Sequence, residues 1–389
     1  KKNNPNSLPS QPSASLAPLF DLQQSNAINL VSTVPPSQRW LLSNMLPLGK
    51  VAALIAGGGT GKSQLALQIG LGVATGTKIA DALDVGEAGE VVLLFAEDET
   101  DEIHRRFSKT LARLRTADPA FPSHLVNRLH IQALVGVNNL MTAVEHGTTV
   151  LPTDYVDRLL LTIKPLQNLK LIVLDPLSRF RGGNENSAED VTRWIEQAER
   201  IAKITGATVL VLHHVNKGSY QSNEQNQSAA RGSSAFTDGV RFVMNLTKPS
   251  DKESKKVIVP NGDQKRLLVA GITKSNYGPP TDPIYLFRED GGYLNAITAA
   301  ALTLKQRISQ TIANEAAAGI HHTKNTFEKK FGGTDGFLKT AIKSSRDAIK
   351  EMLADGELKL IKNKLSAPPR VPANYSASST ATAIPPVIP

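Results

Sequence analysis

The chain has 389 residues, 40% of them apolar, enough for one large α/β domain with an extension or for two domains. It contains no cysteine, which excludes disulfides, cysteine-based zinc sites and thiol chemistry and fits a reducing compartment. The net charge of +9 points to a polyanionic partner; no apolar run of about eighteen residues and no signal peptide are seen, so a soluble, cytoplasmic protein is expected.

Residues 1–27 are rich in Ser, Pro, Asn and Gln and are expected to be disordered, as is 366–389. The first forty residues hold no primase-like zinc site. Apolar runs at 51–55, 90–96, 129–134, 170–174, 207–212, 241–246, 267–273 and 284–288 read as strands, and helical periodicity appears at 63–73, 100–115, 155–166 and 188–204. Runs such as VVLLF and LIVL are apolar throughout, as burial on both faces by helices requires. The expected class is α/β, a mainly parallel sheet with an antiparallel extension where strands follow one another late in the chain. A large α/β domain at 28–299 is then followed by helices at 302–317, 323–331 and 336–353. A hairpin turning at Asp355-Gly356 completes a small winged-helix-like domain at 300–365. Basic residues outnumber acidic ones seven to three in 248–274 and twelve to seven in 305–364, which together carry the whole excess. Nucleic acid is favoured over a membrane, because neither segment reads as a basic amphipathic helix with an aromatic face.

The string AGGGTGKS at 56–63 joins a strand to a helix. In that context backbone N–H groups wrap a phosphate chain at the helix N-terminus, a lysine meets the outer phosphates and a hydroxyl meets Mg²⁺. Gly57, Gly58, Gly59, Thr60, Gly61, Lys62, Ser63 and Gln64 are therefore expected to bind ATP, with Ser63 also on the metal. Ala56 replaces the usual first glycine, which a negative φ permits.

The run KLIVLDPLSRF ends a buried strand on Asp175, placed to hold the Mg²⁺ shell beside Ser63. Proline follows it and not glutamate, so a base for hydrolysis must come from elsewhere. Glu97, at the end of VVLLFAEDE, is the candidate if a neighbouring parallel strand delivers it to the P-loop edge, with Asp98 and Glu99 as alternatives. TVLVLHH ends on His213 and His214 at the same edge. Two adjacent histidines lack metal-site spacing, but a polar residue there can sense the γ-phosphate and pass its loss into the polar loop at 215–230. Further on, Arg231 and Arg241 lie away from the P-loop. Arg241 begins a strand, unable to serve its own nucleotide if that strand lies far out in the sheet, yet able to reach a neighbour's as an arginine finger.

AGGGTGKS, FAEDE, LIVLDPLSRF, LHHVNKG, ARGSSAFTDGVRF and TKSNYG, in this order, resemble the plasmid RepA-type hexameric replicative helicases, a RecA-like group related to the DnaB motor. The resemblance spans about 39–295. It implies a homohexameric ring with ATP and Mg²⁺ at subunit interfaces, translocating on single-stranded DNA through its centre, with a replication-initiation protein or primase as a further partner. Lys62 and Ser63 would hold phosphate and metal, Glu97 would be the catalytic carboxylate, and Asp175 the Walker B aspartate. His214 would sense the γ-phosphate, with His213 as fallback, and Arg241 would be the finger in trans. Arg106 and Arg288 fall where the family places nucleotide-contacting arginines, and Lys274 of KSNYG matches a basic residue near the subunit interface. Lys217, with Tyr220 as a stacking group and Arg231 nearby, would touch DNA in the pore. Small members of the family end soon after the GGYLN region, whereas this chain adds the basic segment 300–365. A RecA-like ATPase that acts on DNA without unwinding, in recombination or defence, and a non-enzymatic regulator with an ATP switch are the alternative readings.

Overall fold

The structure, a computed structural model, describes residues 18–145, 147, 149–214, 234–254, 257, 259–260, 263–279, 281–297, 304–333, 338 and 342–366. The chain divides into two units, Lys1–Arg39 and Trp40–Pro389. In the first, the one helical turn among the described residues, Ile28–Val31, buries none of its side chains.

The second unit is built on β1 (Val51–Ala56), α1 (Lys62–Thr75), β2 (Glu90–Phe95), α2 (Thr100–Ala117), β3 (Leu129–Ala133), β4 (Thr142–Glu145), β5 (Thr149–Pro152), α3 (Tyr155–Ile163), β6 (Leu169–Asp175), α4 (Ala188–Thr205), β7 (Thr208–His214), α5 (Ser234–Gly239), β8 (Phe242–Thr247), β9 (Leu267–Ser275), β10 (Ile284–Arg288) and β11 (Leu294–Ala296). Among the described residues, nine strands form one sheet in the order β11-β10-β9-β8-β1-β7-β6-β2-β3. From β8 to β3 all pairs are parallel, and β9, β10 and β11 extend the sheet antiparallel. This is the RecA-like P-loop architecture, with β7 inserted between the P-loop strand and the Asp175 strand.

Alternation along each strand divides the core in two. Ala52, Leu54 and Ala56 of β1 pack with α1, whereas Val51, Ala53 and Ile55 pack with α3 and α4. Helix α1 is buried nearly all round, which is why no charged residue interrupts it between Ser63 and Thr75. A side chain at Gly72 would put its Cβ 2.2 Å from Ile79, so the close approach requires glycine. Ser187 caps α4 by accepting from the Asp190 N–H, and Gly206 ends that helix at φ 71°. Trp194 of α4 is fully buried, donates to the Phe180 carbonyl at 3.0 Å and meets Phe236 edge-on. Among the described residues, no helix is long and apolar enough to cross a membrane.

Two local expectations are corrected. Strand β2 is not beside the P-loop strand, because β7 and β6 intervene. The hairpin β4–β5, at 142–152, is not among the expected elements; its strands pair with each other, and Thr142 also bridges Arg181.

C-terminal to the sheet, α6 (Leu304–Ala317), α7 (Lys324–Phe331) and α8 (Ile342–Ala354) precede the hairpin β12 (Lys359–Ile361) and β13 (Lys364–Ser366). They share a separate core of Ile308, Ile312, Phe327, Phe331, Leu338, Ile349, Met352, Leu358 and Leu365. The hairpin turns at Lys362-Asn363, both with positive φ, and not at Asp355-Gly356. The Asp355 N–H instead donates back to the Glu351 carbonyl and Gly356, at φ 75°, ends α8, a C-terminal stop that a DG pair serves as readily as a turn.

Candidate functional site

Parallel strands present their carboxyl ends at one edge of the sheet, and the chemistry-bearing residues gather there. A cavity of about 430 Å³ is lined by Gly59, Gly61, Lys62, Ser63, Gln64, Glu97, Asp98, Glu102, Arg105, Arg106, Lys109, Asp175, His214, Arg288, Gly291 and Gly292. The turn after β1 stays open: a Cβ on Gly58 or Gly59 would meet nothing within 4 Å. Gly59 and Gly61 hold φ of 69° and 106°, conformations only glycine adopts without strain. Gly61 is the N-cap of α1 with no side chain to satisfy the helix's first N–H groups, which suits an anionic phosphate chain.

Lys62 is buried and donates to the Ala56 and Gly57 carbonyls, each at 3.3 Å, and to His214 Nδ1 at 2.9 Å. Burial lowers its pKa, against the opposing pull of Asp175 and Glu97. An ammonium has only donors, so His214 accepts through Nδ1 and carries its proton on Nε2, 3.6 Å from Glu97 Oε2. Burial and the neighbouring Lys62 hold the His214 pKa below its ordinary value, keeping the ring neutral.

The strand also decides between the two histidines. Successive residues point to opposite faces, so His213 turns into the core against Phe236, ring centroids 5.5 Å apart. Burial there, helped by Arg181, pushes its pKa down to about 4.

Asp175, at the end of β6, is 5% exposed and hydrogen-bonded to Ser63. Burial raises its pKa to about 6, with Ser63 and Lys62 pulling the other way. A hydroxyl and a carboxylate brought together beside a phosphate-wrapping turn form a hard oxygen set suited to Mg²⁺. Because Asp175 must be ionised to serve, Mg-nucleotide affinity is expected to fall as pH falls through about 6, roughly tenfold by about pH 5. Fluorescent-nucleotide titration checks this; Asp175→Asn should bind more weakly with a flat profile.

Glu97 follows β2, delivered to this edge by its pairing with β6, where Ala96 N–H bonds the Asp175 carbonyl at 2.8 Å. Its carboxylate faces His214 Nε2 and Arg179 Nε, both at 3.6 Å. Asp98 turns instead to Arg106 (Nη2–Oδ1 3.2 Å), and Glu99 takes the N-cap position of α2. Arg106 is also held by Glu102 at 2.9 Å. Arg288, at the end of β10, lays its guanidinium on the Gly59 and Thr60 carbonyls. Arg105 and Lys109 of α2, Arg179, and the Gly291-Gly292 turn complete the surroundings and were not among the expected contacts. The spacing of 102, 105, 106 and 109 along one helix face was the available signal.

Arg241 and Lys274 lie elsewhere. Strand β8 is not far out in the sheet but directly beside β1; what removes Arg241 from the P-loop is strand direction. Its N–H bonds the Val51 carbonyl at the amino end of β1, five residues or about 16 Å from the loop. Lys274, expected among the nucleotide contacts, is outside the cavity, because antiparallel β9 pairs it with Val243 at the same amino edge. It donates to the Thr237 and Asp238 carbonyls at 3.0 and 2.6 Å, and burial together with Arg241 lowers its pKa. Arg241 is half-exposed, with Glu199 4.0 Å away. Lys217, Tyr220 and Arg231 lie outside the described residues.

A family profile described as the AAA domain matches residues 17–220, just over half of the chain. The chain belongs to the AAA domain family. The matched region holds the P-loop, Glu97, Asp175 and both histidines; β8 to β11, with Arg241, Lys274 and Arg288, follow the matched AAA domain region. Among solved structures, one described as an ATPase domain is similar at 14% identity and a TM-score of 0.45, over 64% of this chain and 85% of that one. A DnaB-like replicative helicase, described with its interactions with primase, is similar at 14% identity and a TM-score of 0.44. That match covers 64% of this chain and 58% of the helicase.

Proposed function

We propose that this protein is an ATP-driven DNA helicase of the DnaB-like, RepA type, working as a hexameric ring on single-stranded DNA in the replication of a plasmid, phage or other mobile element. The observation that carries this reading is the placement of Arg241 and Lys274 at the edge of the sheet away from the cavity. Phosphate-binding, metal-binding and carboxylate groups converge at one edge, whereas the Arg241–Lys274 pair sits at the other, about 16 Å from its own loop. A cation so placed serves a nucleotide on a neighbouring copy.

On this reading Lys62 leaves the loop carbonyls and His214 for the β- and γ-phosphate oxygens of ATP. Ser63 and Asp175 hold Mg²⁺, which when bound draws charge off the phosphates. Glu97 accepts a proton from the water that attacks the γ-phosphorus. Arg106 exchanges Asp98 for phosphate, and Arg288 stays on the loop backbone beside it. His214, bonded to Lys62 on one nitrogen and facing Glu97 with the other, registers whether the γ-phosphate is present. It passes that state into the polar loop at 215–230, whose Lys217 and Tyr220 contact DNA with Arg231 just beyond. Arg241 from the next subunit stabilises the charge that develops on the transferred phosphoryl group. An initiator protein or primase would load or accompany the ring.

A forked duplex with ATP tests the reading: strand release and DNA-stimulated turnover are expected, and Lys62→Ala should lose both. Turnover stimulated by DNA without strand release assigns the non-unwinding ATPase instead.

A further inference from the structure

Most of the described acidic residues in 304–366 pair with cations of the same segment. Glu315 binds His322 and Lys330, Glu328 binds Arg346, and Glu351, Asp355 and Glu357 converge on Lys305. Of the described carboxylates in 304–366 only Asp347 is outside these pairs. The lysines are distributed differently: Lys343, Lys350, Lys359, Lys362 and Lys364 are exposed and take no part in these pairs.

Their positions are ordered. Lys343 and Lys350, seven residues apart, share one face of α8, with Asp347 between them. On the hairpin, Leu365 is buried against the domain core and so marks the inward face, although its cross-strand partner Leu360 remains 43% exposed. Lys359, Ile361 and Lys364 belong to the opposite, outward face, with Lys362 at the turn. The hairpin is tied to the end of α8 by the bond from Leu358 N–H to the Met352 carbonyl, 3.0 Å, and to the α7 approach by Leu365 N–H to the His322 carbonyl, 2.8 Å. Helix and hairpin therefore carry cations on two elements held together by backbone hydrogen bonds.

We propose that the exposed face of α8 and the outward face of the β12–β13 hairpin form a docking site for duplex DNA, separate from the nucleotide cavity. Lysines on a helix and an adjoining hairpin suit phosphates on the two sides of a groove, and a helix about 10–12 Å across fits the major groove of B-form DNA. The deep, narrow major groove of an RNA duplex does not admit one. Among the described residues these faces carry no aromatic ring, so the stacking that single strands need is missing.

The test uses the full chain without nucleotide, binding a labelled duplex of about 30 base pairs across about 50–200 mM salt. Each phosphate contact contributes roughly 0.9 to the slope of log K on log salt, so the triple variant K359A/K362A/K364A should lower the slope by about 2.7 and weaken binding about 10²-fold near 0.1 M salt. K343A/K350A should lower the slope by about 1.8. The triple lysine-to-arginine variant keeps the charge and should bind as wild type, while ATP turnover without DNA is unchanged in all three. An unchanged slope in the alanine triple overturns the proposal. So does loss of binding in the arginine triple, or an equal loss on oligothymidylate or on anionic vesicles.

Discussion

Glu97→Gln is expected to lower ATP turnover by about 10²–10⁴-fold, the usual worth of a positioned general base, while nucleotide affinity stays within about threefold. The separation of effects follows from geometry. Glu97 is held by His214 Nε2 and Arg179 Nε, both 3.6 Å away, and neither is a group of the glycine-rich turn. The amide keeps the size of the side chain and removes only its ability to take a proton. Single-turnover hydrolysis alongside fluorescent-nucleotide binding separates the two quantities. Turnover within a factor of about three of wild type would transfer the base role to another carboxylate, and Asp98, already committed to Arg106, is poorly placed for it.

Arg241→Ala should reduce turnover by roughly 10³-fold or more, the range for an arginine finger, although residue 241 lies about 16 Å from its own loop. The decisive form is a mixture. A subunit with Arg241→Ala keeps a complete cavity, and one with Glu97→Gln keeps its arginine, so interfaces that pair the two have every group. Two inactive preparations should regain a fraction of wild-type turnover when mixed and allowed to exchange. A mixture as inactive as its components rules out catalysis in trans. Lys274 sits beside Arg241 with its ammonium on the Thr237 and Asp238 carbonyls, so the edge is set by backbone bonds as well as by charge.

Much of this was legible locally. The glycines of the turn after β1 announce a loop that must adopt left-handed φ, and Gly59 and Gly61 do. The unbroken apolar runs at 91–95 and 171–174 require cover on both faces, and the sheet has it. The eight strands expected from periodicity are present, each within two residues of its expected ends. What misled was the DG pair, since the same dihedrals that turn a hairpin also stop a helix, and only the packing of Leu358 and Leu365 into the small core selects between them.

Residue chemistry and spacing by themselves determined that a glycine-rich turn joins a strand to a helix, that Asp175 ends a strand and Glu97 closely follows one, and that cations concentrate late in the chain. Those features depend on neighbours within a few positions, where dihedral limits and side-chain alternation act directly. Strand neighbours depend on pairing between segments far apart in the chain, and no local preference encodes it. The tertiary structure alone decided that β7 stands between the P-loop and Asp175 strands, which puts His214 against Lys62 and sends His213 into the core. It likewise placed Arg241 beside β1 yet at its far end, because parallel strands share a direction and a residue that starts one lies a full strand length from the edge where ligands bind.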